Sequence, residues 1–129
     1  MTKRARTYKL RLATDGIDLF YACHARVGRQ ARRFIPYGAT LFTALSILAA
    51  REDEDIGDML QSPETARLAG GYSCFVGYSS ELSDLAARTL ERIRQSQEIG
   101  EAVTVSRLYL VALRFLAEAE PPEIMAALR

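Results

Sequence analysis

Polar and apolar side chains alternate in the segment TYKLRLA, residues 7–13, as expected of a strand with one buried face. One side carries polar or charged residues: Thr7, Lys9 and Arg11. The other carries apolar or aromatic residues: Tyr8, Leu10 and Leu12. Ammonium and guanidinium groups can donate to guanine O6 and N7 in a DNA major groove, and the Thr7 hydroxyl can meet a base edge or a phosphate. The alternative is a solvated strand face beside a basic tail.

Cys23 stands next to the single histidine, His24, and a thiolate beside an imidazole is a known nucleophile arrangement. Adjacent residues of a helix point about 100° apart and do not face each other. We therefore predict core or edge roles for both side chains and no enzymatic activity. Cys23 and Cys74 form no CxxC pair, and one histidine leaves no ligand set, so neither a metal nor another cofactor is predicted.

The charge of the chain is concentrated at one end. Residues 1–33 carry nine basic and two acidic side chains, a net charge of +7, so the remainder carries −6 in a chain of net charge +1. A basic end of this kind indicates a polyanionic partner, most often nucleic acid, although a solvated tail is the alternative. Four arginines are expected to add salt-dependent attraction to phosphates: Arg4, Arg6, Arg32 and Arg33.

The hydrophobic pattern predicts a protein of the cytoplasm without membrane contact. The start MTKRARTYK is basic and has no apolar core behind it, unlike a secretory signal. No apolar run reaches the ~18 to 20 residues that a bilayer span needs.

The first half of the chain predicts a strand, an amphipathic helix and an apolar helix. Thr14 or Asp15 would cap a helix from about 15 to 30, and Pro36 would start the apolar helix, which the acidic segment REDED ends. The second half repeats this order. YSCFVGY is a strand, Ser79 or Ser80 caps the amphipathic helix, and Thr104 caps the apolar helix TVSRLYLVALRFL.

The domain prediction follows from this repeat. Residues 1–129 form one compact domain with a first unit at 6–50 and a second at 72–119. A linker at 51–71 holds a short helix from Ser62 and Pro63, and a short C-terminal helix occupies 120–129. Aligning Ile17 with Leu82 gives a repeat offset of 65, and the apolar helices give 68. Since neither unit buries its apolar surface alone, we expect the strands to pair antiparallel and the apolar helices to cross inside.

The order strand, helix, helix resembles the ribbon-helix-helix family of DNA-binding proteins, which normally pair two identical chains. The best local marker is the start of the second apolar helix, Thr104-Val105-Ser106-Arg107-Leu108. The resemblance implies a mainly α fold with a short two-stranded antiparallel ribbon, built as two β-α-α units related by a pseudo-twofold axis. One chain would then be a monomer that acts as a pseudodimer. Such a double copy is also similar to accessory proteins that assist the processing and transfer of plasmid T-DNA.

The resemblance implies double-stranded DNA as the partner, with a relaxase or other DNA-processing proteins as further partners and cooperative binding of several molecules on DNA. Base contacts would come from the outward ribbon residues: Thr7, Lys9, Arg11, Ser73, Phe75 and Gly77. The opposite phase of the second strand, which buries Phe75 and exposes Cys74 and Val76, stays open. In either phase the outward face of the second strand carries no charged residue. This departs from the family pattern and predicts that the two strands contact DNA asymmetrically.

Phosphate contacts are expected at the starts of the two apolar helices, where free N–H groups and the helix dipole favour an anion. The candidates are Tyr37, Gly38, Thr104, Val105, Ser106 and Arg107. The missing side chain of Gly38 would let a phosphate approach closely, and ordinary capping without a ligand is the alternative. Two other functions remain open, a transcriptional repressor of the same fold and a helical protein-interaction adaptor.

Overall fold

The computed structural model describes residues 6–96 and 103–128, except for the side chains of Arg6 and Tyr78. Two strands and seven helices lie in these ranges, and the protein is mainly helical. In chain order they are β1 (Arg6–Leu12), α1 (Thr14–Ala31), α2 (Tyr37–Ala49), α3 (Asp53–Gln61), α4 (Pro63–Ala66), β2 (Tyr72–Tyr78), α5 (Ser80–Gln95), α6 (Val105–Glu118) and α7 (Pro121–Ala127). Each of these helices is too short or too polar to cross a bilayer.

The two strands form an antiparallel ribbon in which Lys9 lies opposite Phe75 and Arg11 opposite Ser73. Leu10, Leu12 and Val76 are buried beneath it. The predicted pairing is therefore confirmed, and so is the preferred phase of β2, because Val76 is buried while Ser73, Phe75 and Gly77 are exposed. The same phase would also bury Tyr78, whose side chain lies outside the described part of the structure.

The apolar helices α2 and α6 pack against each other at the centre of the molecule. All of α6 from Leu108 to Leu113 is buried, which explains a sequence with almost no polar face. The two amphipathic helices cover α6 unequally, since α1 contributes more than α5, and the linker helices α3 and α4 also pack on it. Arg114, the charged residue within the run, reaches out of the core to Thr65 Oγ1 at 2.9 Å and to Glu64 at 3.0 Å.

The pattern of buried residues repeats along the chain. The buried residues of α1 are Gly16, Phe20, Cys23 and Val27, and those of α5 are Leu82, Ala86, Thr89 and Ile93. Each member of the second set follows its counterpart by 66 residues. All seven buried residues of α2 reappear as buried residues of α6 at an offset of 68. The predicted offset of 65 for the first helices is therefore wrong by one.

Gly16 explains this error. A Cβ atom on Gly16 would lie 2.3 Å from the carbonyl oxygen of Leu68, so only glycine fits this buried position. Glycine is not recognised as part of a hydrophobic pattern, so the sequence pattern aligned Leu82 with Ile17, which is only half-buried, instead of with Gly16.

Two arginines join the halves of the molecule. The Arg26 guanidinium on α1 donates to the carbonyl oxygens of Leu116 (2.6 Å), Ala117 (3.0 Å) and Ala119 at the end of α6. Arg92 on α5 donates to Ala49 and Arg51 at the end of α2, both at 2.7 Å. These contacts repeat along the chain at the offsets given above. Arg92 follows Arg26 by 66 residues, and the acceptors of Arg26 at Ala117 and Ala119 follow those of Arg92 at Ala49 and Arg51 by 68. Each arginine thus satisfies helix-end carbonyls in the opposite half, where a cation also suits the helix dipole.

Two predicted helix boundaries differ from the structure. Neither Thr14 nor Asp15 caps α1, because the helix begins one residue earlier and Ala13 is its N-cap, held by a bond from its N–H to the Leu68 carbonyl (2.8 Å). The REDED segment is not merely the end of α2, since its acids lie in the first turn of α3, where the dipole favours negative charge. The caps at Ser79 and Thr104 are confirmed, with bonds from Leu82 N–H (3.1 Å) and Arg107 N–H (3.2 Å).

Candidate nucleic-acid interface

The outward face of the ribbon carries the six residues predicted to contact bases. Thr7, Lys9 and Arg11 are exposed on β1, and Ser73, Phe75 and Gly77 are exposed on β2. They lie opposite each other in three rungs, Thr7 with Gly77, Lys9 with Phe75 and Arg11 with Ser73. A two-stranded ribbon of this width fits a DNA major groove.

The central rung combines a cation with an aromatic ring. Lys9 Nζ lies 5.9 Å from the centroid of the Phe75 ring, within the range of a cation–π contact. Within residues 6–96 and 103–128, neither Lys9 nor Arg11 forms a salt bridge with an acid. Lys9 and Arg11 are therefore available to an anionic or hydrogen-bond-accepting partner, and Phe75 on β2 offers an exposed apolar ring beside Lys9.

The start of α2 is packed against β2. A Cβ atom on Gly38 would lie 2.4 Å from the carbonyl oxygen of Gly77, so the space expected to admit a phosphate is filled by the ribbon backbone. The missing side chain of Gly38 serves helix–ribbon packing. Tyr37, the first residue of the helix, packs edge-on against Phe20, and a hydrogen bond with the Tyr21 hydroxyl raises the pKa of Tyr37 above its usual value.

The start of α6 is fixed against β1 in a comparable way. Ser106 Oγ forms a hydrogen bond with the hydroxyl of Tyr8, and Ser106 follows Gly38 by the 68 residues that relate the two apolar helices. Thr104 and Ser106 are both exposed, and Val105 is half-buried. Each apolar helix therefore begins beside the strand of the opposite half, which brings both helix N-termini to the ribbon.

The predicted phosphate-binding arginines divide into two groups. Arg107 is half-buried, and two of its N–H groups donate to the Leu60 carbonyl at the end of α3 (3.1 and 2.5 Å), so it anchors the linker. Arg32 and Arg33 are exposed after α1, and Arg33 lines the same surface hollow as Gly38 and Gly77. Arg4 lies outside the described residues, and so does the side chain of Arg6.

The adjacent Cys23 and His24 have separate packing roles, as their helical positions predict. Cys23 is buried and its thiol donates to the Leu113 carbonyl at 3.2 Å. Burial raises the pKa of Cys23 to about 12, so the thiol is protonated at neutral pH. His24 Nδ1 lies 2.7 Å from Thr40 Oγ1, so the imidazole and the thiol have different hydrogen-bond partners. The part of the chain that the structure describes holds no group of three or more side chains suited to a metal ion.

A cleft beside the first half of β2, which we call the β2 cleft, was missed by sequence reasoning. It has a volume of about 270 Å³ and lies between β2, α1 and the start of α2. Its lining is Leu12, Ile17, Phe20, Tyr21, Tyr37, Tyr72, Ser73, Cys74 and Phe75. Tyr21 and Tyr72 are exposed by 59% and 62%, which is unusual for large aromatic side chains. No local sequence signal indicated the cleft, because only the packing of α1 beside β2 brings Tyr21 and Tyr72 to one site.

Comparison with known proteins identifies no relative, since no protein-family model, curated protein or solved structure matches the chain.

Proposed function

We propose that the protein binds double-stranded DNA with a sequence preference by placing the β1–β2 ribbon in the major groove. The observation that carries this proposal is the outward ribbon face, where Lys9 and Arg11 are exposed and form no salt bridge with any acid among residues 6–96 and 103–128. The two apolar helices begin at the edges of the same ribbon. Base-reading side chains would thus be flanked on both sides by helix starts.

Base recognition is divided unequally between the strands. Lys9 and Arg11 on β1 donate to guanine O6 and N7, and the Phe75 ring on β2 contacts a thymine methyl group. Ser73 and Gly77 are small and let the ribbon approach the base edges closely. The preferred site is therefore not palindromic, although the supporting scaffold has two similar halves.

Phosphate binding falls to the flanking groups. The first turn of α6 presents backbone N–H groups and the positive end of the helix dipole, with hydroxyls at Thr104 and Ser106. Arg33 adds an exposed positive charge beside the start of α2. Arg107 contributes its charge from its position on the Leu60 carbonyl.

We further propose that the fold is a tandem ribbon-helix-helix pseudodimer in one chain. The repeat of buried positions at offsets of 66 and 68 supports this proposal, as do the reciprocal contacts of Arg26 and Arg92. The resemblance to the accessory protein of the virulence C operon suggests the task, assistance in plasmid or T-DNA processing and transfer beside a relaxase. Repression of transcription by the same DNA-binding face is the second candidate.

The test is a fluorescence-anisotropy titration of duplexes at physiological salt, after selection of preferred duplexes from a random pool. Replacing Lys9 and Arg11 by alanine together should weaken binding at least tenfold and flatten the sequence preference, because a good base contact discriminates by about 1–3 kcal/mol. Arg67→Ala with Arg88→Ala is the matched control, since it removes the same charge from two exposed positions, the turn after α4 and helix α5.

Unchanged affinity and preference in the Lys9 and Arg11 variant would reject the ribbon as the reader. Binding of a protein partner that is indifferent to both DNA and salt would favour the helical adaptor instead. A selected site with twofold symmetry would contradict the unequal division between β1 and β2.

A further inference from the structure

Only Ser73 and Phe75, at the rim of the β2 cleft, also belong to the ribbon face that would contact a duplex. The other residues that line the cleft have no part in that contact. We propose that this cleft binds an unpaired nucleobase of a DNA strand that continues from the duplex. The inference rests on the proposed function, because the ribbon would bring the strand to the cleft. It adds recognition of a junction between double-stranded and single-stranded DNA.

The lining of the cleft suits a flat aromatic guest. Phe20, Ile17 and Leu12 supply an apolar floor, and the rings of Tyr21 and Tyr72 stand exposed at the mouth. Stacking of a base on an aromatic side chain is a recurrent means of holding unpaired DNA. A volume of about 270 Å³ is near the lower limit of small-ligand sites, which favours one base over a bulky cofactor.

Polar groups at the cleft can meet the edge of a base. The Ser73 hydroxyl and the hydrogen-bonded hydroxyls of Tyr21 and Tyr37 provide donors and acceptors. The half-buried Cys74 adds a thiol whose pKa is raised by burial, so this side of the cleft stays uncharged. A neutral base is therefore accommodated without a buried charge.

The charges near the cleft favour a strand that carries phosphates. Arg11 lies opposite Ser73 and Lys9 opposite Phe75, so two cations stand across the ribbon from two residues of the cleft. Directly opposed residues of an antiparallel pair have Cβ atoms about 4.5–5.5 Å apart. A phosphodiester leading into the cleft would pass within reach of both cations.

The corresponding helix of the second half lacks these aromatic residues. At the offset of 66, Ile17, Phe20 and Tyr21 of α1 correspond to Ser83, Ala86 and Ala87 of α5. The second half builds the same helix with small side chains where the first half carries an apolar floor and an exposed tyrosine. The aromatic lining that α1 gives the cleft thus has no counterpart on α5, and the exposed ring of Tyr21 is available for a ligand.

The experiment compares a blunt duplex with the same duplex carrying a short single-stranded tail, whose first unpaired base is 2-aminopurine. The wild-type protein should bind the tailed DNA about tenfold more tightly and quench the 2-aminopurine fluorescence by stacking. Tyr21→Ala with Tyr72→Ala should abolish both effects and leave the affinity for blunt duplex unchanged. Both side chains are exposed, so the variant should retain the fold, which thermal unfolding checks.

Two further variants separate stacking from other effects. Tyr21→Phe with Tyr72→Phe should keep the preference for the tail, because the rings remain. Phe34→Ala removes a fully exposed aromatic side chain outside the cleft and should change neither measurement.

Equal wild-type affinity for tailed and blunt DNA would overturn the proposal, and so would a preference that survives in the double alanine variant. Equal quenching of free 2-aminopurine nucleotide at the same concentration would overturn the assignment to a strand-borne base. If the wild-type protein fails to bind blunt duplex but quenches a single-stranded oligonucleotide through Tyr21 and Tyr72, duplex reading is wrong and the base-binding cleft stands.

Discussion

Gly38 and Gly71 differ in what surrounds them, and this difference makes the contact between α2 and the ribbon measurable. A Cβ at Gly38 would lie 2.4 Å from the Gly77 carbonyl oxygen, whereas a Cβ at Gly71 would meet nothing within 4 Å. Gly38→Ala should therefore displace the start of α2 and lower the free energy of unfolding by about 1–3 kcal/mol in urea titrations. Gly71→Ala should be neutral or stabilise by about 0.4–1 kcal/mol. Equal effects of the two substitutions would contradict the close packing of α2 on β2.

Cys23 should make stability depend on pH in the alkaline range. Its pKa is raised by burial to about 12 in the folded protein, against an ordinary value of 9.0 for the unfolded chain. The unfolded state therefore loses its proton first, and the free energy of unfolding falls as pH rises from about 9 toward 12, by at most about 1.4 kcal/mol per pH unit. The stabilising contribution is fully present below pH 9.

The measurement is urea unfolding between pH 8 and pH 10.5 for the wild type and for Cys23→Ala. The substitution should lower stability at every pH because it leaves a cavity, but it should remove this part of the alkaline decline. Cys74→Ala is the comparison for a half-buried thiol. An identical pH slope in wild type and Cys23→Ala would contradict the raised pKa.

At the scale of elements, the arginine contacts between halves are the most direct test of how the helices are held. Arg26 donates to three carbonyl oxygens at the end of α6. Arg26→Ala should lower the free energy of unfolding by about 1.5–3 kcal/mol, the range for a hydrogen bond to a charged group. Arg29→Ala, which removes an exposed arginine from the same helix, should change it by less than about 0.5 kcal/mol. Similar effects of the two variants would show that the contact with α6 is not stabilising.

The elements that the sequence predicted are those with strong local signals. Alternating side chains in TYKLRLA marked β1, and hydroxyl caps at Ser79 and Thr104 marked the starts of α5 and α6. The start of α1 was misplaced because its first turn is held by Leu68, which is distant in sequence. Helix α3 was missed because a run of acids was interpreted as a solvated end, although acids are also favourable in a first turn.

The candidate site was predictable to the extent that it depends on strand periodicity. Alternation placed Lys9 and Arg11 outward, and the preferred phase of β2 placed Phe75 beside them. The roles of Gly38 and Arg107 depend on contacts with Gly77 and Leu60, which local sequence does not indicate. The β2 cleft requires α1, α2 and β2 together, so its residues are far apart in the chain.

At the scale of the whole molecule, the basic residues are expected to bind DNA in two ways. Some contact phosphates in any duplex, and others contact bases of the preferred site. Arg33→Ala should weaken binding to all duplexes alike and reduce the slope of log affinity against log salt by about one, as for a single phosphate contact. Lys9→Ala should instead reduce discrimination between preferred and altered sites. Anisotropy titrations from low to physiological salt measure both quantities, with Arg88→Ala as the control for general charge. A loss of specificity in Arg33→Ala without a change of slope would reverse the assigned roles.

Because Arg26 and Arg92 join the two halves of one chain, the association of these halves does not depend on protein concentration. A dimer of separate chains falls apart on dilution, because its association depends on protomer concentration. Here both members of each contact belong to one chain, joined through α3 and α4, so encounter between them is intramolecular. The two halves should therefore stay associated at the lowest protein concentrations as fully as in a concentrated solution.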